Sequence, residues 1–218
     1  MKRRKMILYI LMLLPLVVTA AALPFLPDEI PAHYGADNQV TRWGSKYETL
    51  VFPAITIIFG LVMLGIGKYA AKQEREGDNN EKLSLLAGIM GLVIFNAMTL
   101  YFLYADIKEI ENLSSLRVDI NRLVFGLLGI LFVVFGNVMP KAKLNSALGL
   151  RTVWSMKNET VWKKSQKFGG MTFIISGAAV IVLCLFFEGK SLMLLSAAAF
   201  LIPLPLDIYY TYKISKKY

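Results

Sequence analysis

The sequence predicts an all-α integral membrane bundle of about six transmembrane helices, with both chain ends in the cytoplasm. Three observations predict it. Of the 218 residues, 56% are hydrophobic and only 18% charged, where a soluble domain carries about 25% charged residues. The apolar residues fall into continuous runs rather than an alternating pattern, which selects helices over a transmembrane barrel. The basic residues fall in alternate connections, which sets the orientation.

The six apolar runs cover 6–23, 50–67, 83–104, 123–139, 171–187 and 192–209. A helix needs about 20 residues to cross the hydrocarbon, with about 17 as the lower limit. The fourth and fifth runs sit near that limit, so their flanks are expected to join the helices. The sixth is interrupted by Pro203, Pro205 and Asp207. The N-terminus has the order of a signal peptide, with basic residues, an apolar run and small residues at Thr19–Ala22. The run is longer than a usual signal core, so it is read as a retained first helix.

Eighteen of the 24 Lys and Arg residues lie in the N-terminal Lys2–Lys5, the connections 68–82 and 141–167, and the tail 213–217. These are assigned to the inside. The net charge of +9 is thereby explained by topology, without direct binding of nucleic acid. Cys184 is the only cysteine, which excludes an intramolecular disulfide and a cysteine metal site. The chain is read as one membrane domain over 1–218, with a first outer loop at 24–49 and a basic inner loop at 137–170.

The outer loop reads LPDEIPAHYGADNQVTRWGSK from Leu26. Pro27 and Pro31 bias the preceding residues toward extended backbone. Gly35 and the Asp37–Asn38 pair predict a tight turn with positive φ. Trp43 and Tyr47 are interface anchors by type. His33 is the sole histidine. We read it as a polar loop residue bonded to backbone; the alternatives are a proton sensor or a metal ligand completed by Asp28, Glu29 and Asp37. No metal or other cofactor is expected.

The inner loop carries seven basic residues and one acid, Glu159. Ser155 is a candidate N-cap for a short helix over 156–168. On that helix Val161, Lys164 and Phe168 share a face, and Trp162 lies elsewhere. Such a segment suits anionic lipid of the inner leaflet or a cytosolic partner. Arg151 and Glu159 are expected to pair, with Trp154 and Trp162 as membrane or partner anchors. Asp207 supports a second reading, a small transporter, because an ionisable group inside a membrane helix is costly and often functional. Its structural reading is an interfacial carboxylate paired with Arg151 or a tail lysine. No HExxH, GxSxG or membrane carboxylate pair is present, so no enzyme activity or catalytic residue is expected.

Both loops resemble the SdpI/YfhL family of bacterial membrane proteins. The outer loop resembles the short module of unknown function that often opens such proteins, through Leu26-Pro27, Ile30-Pro31, His33 and Arg42-Trp43-Gly44-Ser45-Lys46. The inner loop resembles the family signature through Gly136-Asn137, Met139-Pro140-Lys141, Asn145, Gly149-Leu150-Arg151-Thr152, Trp154, Lys157, Glu159, Val161-Trp162-Lys163 and Phe168. Val153 stands where the family commonly has Pro, and Asn38 where Gly is common. The resemblance implies a multi-pass protein of the bacterial cytoplasmic membrane that gives immunity to a secreted antimicrobial toxin peptide. It implies a peptide partner at the outer face or within the bundle. It further implies signalling through a cytosolic winged-helix autorepressor held at the inner loop. The residues assigned to that surface are Asn137, Lys141, Asn145, Gly149, Arg151, Thr152, Trp154, Glu159 and Trp162.

Overall fold

The structure is a computed structural model that describes residues 1–35, 37–74 and 77–218. Arg75, counted among the basic residues of the first inner connection, lies outside the described residues. Among the described residues there are seven α-helices: α1 (Lys2–Ala22), α2 (Val51–Ala71), α3 (Asn79–Ile107), α4 (Ile120–Val138), α5 (Glu159–Phe186), α6 (Gly189–Leu201) and α7 (Pro203–Lys217). α6 and α7 together make the sixth span. Among the described residues six helical stretches are long and apolar enough to cross a membrane. The helices exceed the apolar runs because backbone hydrogen bonding continues into the polar flanks, most of all at α5.

The α6–α7 break falls at Ile202. Pro203 and Pro205 then occupy the first turn of α7, where a missing N–H costs nothing because those donors lack intrahelical acceptors anyway. The proline interruption is therefore a joint between two helices, and Asp207 lies within a regular helix beyond it.

The helices form two groups. α1, α2 and α3 pack around Leu8, Met12, Leu85 and Leu92. α5 packs against α4, α6 and α7. The α4–α5 contact is the closest, and glycines explain it. A Cβ on Gly136 would lie 2.5 Å from the Gly170 carbonyl oxygen, and one on Gly177 2.5 Å from that of Gly129. Small residues let helices approach closely where lipid supplies no hydrophobic drive for association. Gly126 takes no part in this close packing.

The first outer loop is a hairpin, which the sequence reading did not assign. β1 (Glu29–Tyr34) pairs antiparallel with β2 (Val40–Ser45), with Pro31 opposite Trp43 and His33 opposite Arg42. The expected extended bias and turn are its ingredients, and Asn38 has φ 64°. The hairpin docks on the connection after α3. The Val40 N–H donates to Glu111 O and the Leu113 N–H to Asn38 O, both at 3.0 Å. The Tyr34 hydroxyl donates to Ile110 O at 2.7 Å. Burial and the nearby Asp106 push the Tyr34 hydroxyl pKa well above its ordinary value.

Candidate functional site at the basic end of the bundle

The N-terminus, the described residues on either side of the α2–α3 connection, the 139–158 loop and the C-terminus gather at one end. Lys5 pairs with Glu81 at 2.8 Å. The Lys143 N–H donates to Asn80 Oδ1 at 3.0 Å, and Asn158 Nδ2 to Tyr218 O at 3.3 Å. The hairpin, the 108–119 connection and the α5–α6 turn gather at the other end. There Asp119 accepts from Asn38 Nδ2 at 3.0 Å and from the Gly189 N–H at 3.4 Å, while capping α4.

The 139–158 loop has little regular secondary structure, so its buried polar groups need specific partners. Asn145 is fully buried and acts as a template for the turn around it. Its Oδ1 accepts from the N–H groups of Ala147 and Leu148 at 2.8 and 2.7 Å. Its Nδ2 donates to the carbonyls of Lys143 and Leu148 at 2.7 and 3.4 Å. Gln166, also fully buried, reaches from α5 and pairs with both backbone groups of Leu150, accepting and donating at 2.9 Å. Gly149 passes directly under it. A Cβ there would lie within 2.3 Å of Gln166 Oε1, and its φ of +94° suits glycine.

Thr152 and Ser155 close the next turn reciprocally. The Thr152 N–H donates to Ser155 Oγ at 2.8 Å and the Ser155 N–H to Thr152 Oγ1 at 2.9 Å. Val153, in place of the family proline, is 89% exposed at this turn. Hydrogen bonds on either side hold the geometry that a proline ring would otherwise restrain. Thr152 Oγ1 also bonds Thr211 Oγ1 at 2.9 Å, which ties the loop to α7.

Three expectations for this loop and one for α7 are corrected. Ser155 does not cap a helix over 156–168. It is buried in the Thr152 turn, and the Asn158 side chain caps α5 by accepting from the Val161 N–H at 2.9 Å. The helix then runs unbroken into the membrane span, because nothing in Glu159–Phe186 interrupts it. Trp162 is no surface anchor. It is 2% exposed and donates its indole N–H to Ala142 O at 2.8 Å, within a cluster of Ala70, Leu83, Ala142 and Leu148. A buried indole needs such an acceptor.

Arg151 does not pair with Glu159. Its guanidinium donates to the Ser146 carbonyl, while Glu159 sits exposed in the first turn of α5, where a carboxylate suits the helix dipole. Asp207 pairs with neither Arg151 nor a tail lysine. It is 1% exposed, and Thr172 Oγ1 lies 3.0 Å from each of its oxygens. The shared face of Val161, Lys164 and Phe168 does form, turned toward the C-terminal helix. Phe168 stacks on Tyr210 with ring centroids 4.0 Å apart, and the Lys164 ammonium lies 4.6 Å from the Tyr218 ring centre.

The exposed part of the site is a cleft of about 1050 Å³. Lys141, Lys143, Glu159, Lys163, Gln73 and Glu74 line it, with Trp162 in its wall. The predicted surface residues therefore divide. Lys141 and Glu159 face the cleft, whereas Asn145, Gly149 and Thr152 build the loop beneath it. Asn137 and Trp154 are exposed outside the cleft, Trp154 edge-on to Tyr212 at 5.4 Å. Gln73, Asn80, Ser146 and Gln166 were not singled out. Gln73 bonds Ser146 through both its side-chain nitrogen and oxygen, at 2.9 and 2.8 Å. The signal for Gln166 was an amide within an otherwise packable helix face. Gln73 and Asn80 carried no signal, because their partners in the inner loop lie more than 60 residues away.

At the opposite end, His33 bonds the Thr41 hydroxyl through Nδ1 rather than backbone, and is exposed. Arg42 forms a two-point ion pair with Glu48, and Lys46 pairs with Asp28 at 2.8 Å. Trp43 remains exposed. Among the described residues no group of three or more His, Cys, Asp or Glu gathers to hold a metal.

Comparison with known proteins bears directly on these two ends. Residues 10–57, which include the hairpin, match a domain of unknown function, DUF1648. Residues 141–209, from the cleft to α7, match the SdpI/YfhL protein family. The chain resembles that family over these residues. It is 27% identical over 219 residues to the protein named Immunity protein SdpI of Bacillus subtilis (strain 168), covering 99% of this chain and 97% of the relative. No solved structure matches the chain. The SdpI likeness and the six apolar helices together make this a multi-pass protein of the cell membrane. The SdpI/YfhL match spans the Gly149, Thr152 and Gln166 network and reaches Asp207, so the buried framework lies within the matched residues.

Proposed function

We propose that this protein is a membrane immunity protein that gives resistance to a secreted antimicrobial peptide. The observation that carries the reading is the near full-length likeness to an immunity protein. Both chain ends and the basic loops lie in the cytoplasm, as the distribution of Lys and Arg requires. The peptide is met at the hairpin end, where a hollow of about 200 Å³ is lined by Tyr34, Asn38, Phe102, Leu113, Lys190 and Met193. Apolar side chains at Phe102, Leu113 and Met193 beside the polar Asn38 and Lys190 suit an amphipathic peptide.

The cleft at the basic end is the surface for a cytosolic winged-helix repressor, and the exposed lysines around it contact anionic lipid rather than nucleic acid. Expression in a peptide-sensitive strain tests the immunity reading. Survival should rise on challenge with the supernatant of a producing strain, and unchanged survival across cognate peptides would refute it. Cysteine labelling with a membrane-impermeant reagent tests orientation. A cysteine at Lys143 should be protected in intact cells, and labelling there would reverse the assignment. Lys141→Glu with Lys163→Glu should release the repressor from membranes while survival is kept; retention of the repressor would exclude the cleft.

A further inference from the structure

A stripe of polar groups runs along the contact between α5 and α7, and the proposed function does not use it. α7 buries Asp207, Thr211 and Ser215, spaced four residues apart and so on one helix face. On α5, Thr172 faces Asp207, and Ser165 is buried nearer the basic end. Asp207 sits at the membrane-inward end of the stripe. Ser215 lies about 12 Å further along at a rise of about 1.5 Å per residue. There Lys157 Nζ donates to the Ser215 carbonyl at 2.7 Å, at the basic end of the bundle.

The hydrogen count at Asp207 decides what occupies it. Thr172 Oγ1 lies 2.8 Å from the Gly169 carbonyl and 3.0 Å from each oxygen of Asp207. A hydroxyl has one hydrogen and two lone pairs. That one hydrogen cannot serve the Gly169 carbonyl and the Asp207 oxygens at once, and the shorter contact, the usual back-bond of a helical threonine, takes it to Gly169 O. The contact with Asp207 then needs a hydrogen that Thr172 does not have. No other donor reaches Asp207 among the described residues. The charged groups of neighbouring elements are engaged elsewhere, Arg151 on Ser146 O and Lys157 on Ser215 O. α6 offers Ser196, whose hydroxyl is buried without a partner.

We propose that Asp207 is a proton-binding site, held as the neutral acid and donating to Thr172. The chain Asp207 O–H to Thr172 O–H to Gly169 C=O gives each hydrogen one acceptor. A metal ion does not fit, since one carboxylate, one hydroxyl and one carbonyl fall short of the six or more oxygens that a hard cation takes. The proton also holds the loop in place. Without it, an unpaired charge would lie between α5 and α7, one turn from the Thr211–Thr152 bond that anchors the loop.

Infrared spectroscopy of the purified full-length protein at neutral pH tests this. The wild type should show the carbonyl stretch of a protonated carboxylic acid, shifted in heavy water and missing from Asp207→Asn. A wild-type spectrum without that band overturns the proposal. So does a band that persists in Asp207→Asn and disappears in Asp106→Asn. Should Asp207→Asn fail to fold, Thr172→Val serves in its place. It removes the acceptor for Asp207 together with the donor to Gly169 O and should move the band to higher frequency, and an unmoved band overturns the proposal.

Discussion

Asn145→Ala is the sharpest test of how the basic loop is built. The substitution deletes an acceptor for the N–H groups of Ala147 and Leu148 and a donor to the carbonyls of Lys143 and Leu148. Asn145 is fully buried, and Leu148 is 9% exposed. A buried group left without a partner costs about 1–3 kcal/mol. The Leu148 N–H suffers that in full. The Lys143 carbonyl lies at an exposed residue and regains water, and the 3.4 Å contact is weak. The net loss is therefore about 2–4 kcal/mol. In a protein of this size 1 kcal/mol shifts the melting temperature by about 2–4 °C. Thermal unfolding in detergent should then show a midpoint lower by roughly 5–15 °C. Lys141→Ala, at an exposed position on the cleft, should melt within about 2 °C of wild type. An Asn145→Ala midpoint equally close to wild type would mean that the side chain does not template the turn.

Gly136→Ala places a methyl group against the Gly170 carbonyl and should cost about 1–3 kcal/mol by overpacking, read as a lower midpoint in the same melts; an unchanged midpoint would show that α4 and α5 are further apart. Trp162→Phe removes the bond to Ala142 O, and in acrylamide quenching it should abolish the protected fraction of tryptophan emission, leaving the more exposed Trp43 and Trp154. A protected fraction that survives the substitution would place Trp162 at the surface. At the hairpin end the Lys46 ammonium holds the Asp28 carboxyl below the usual carboxylate range. The pair's contribution is present above that range and is lost as pH falls through the lowered value. A carboxyl-carbon NMR titration should show a low Asp28 midpoint that returns to the ordinary value in Lys46→Met, and identical midpoints would argue against the pair.

Much of the architecture was legible because the signal is local. Continuous apolar runs and the prolines after Leu201 each act within a single segment of the chain. The site was legible only in part. The inner loop was marked as special, yet Trp162 and Arg151 were given surface roles because both types favour interfaces. In the fold the indole finds a carbonyl 20 residues back, and the guanidinium finds one 5 residues back. Ser155 has the composition of a helix cap, but Asn158, three residues later, takes that position because Thr152 already engages Ser155.

The sequence alone determined that lipid surrounds the helices, how many times the chain crosses, and which connections carry the positive charge. These depend on the transfer of side chains between water and hydrocarbon, a property each segment has by itself. Only the tertiary structure decided which polar residues build the basic loop and which remain open to a partner. It also decided that Asp207 faces Thr172 rather than a cation. Those outcomes depend on which donors and acceptors meet across dozens of residues, and a hydrogen bond exists only where both partners have been brought together.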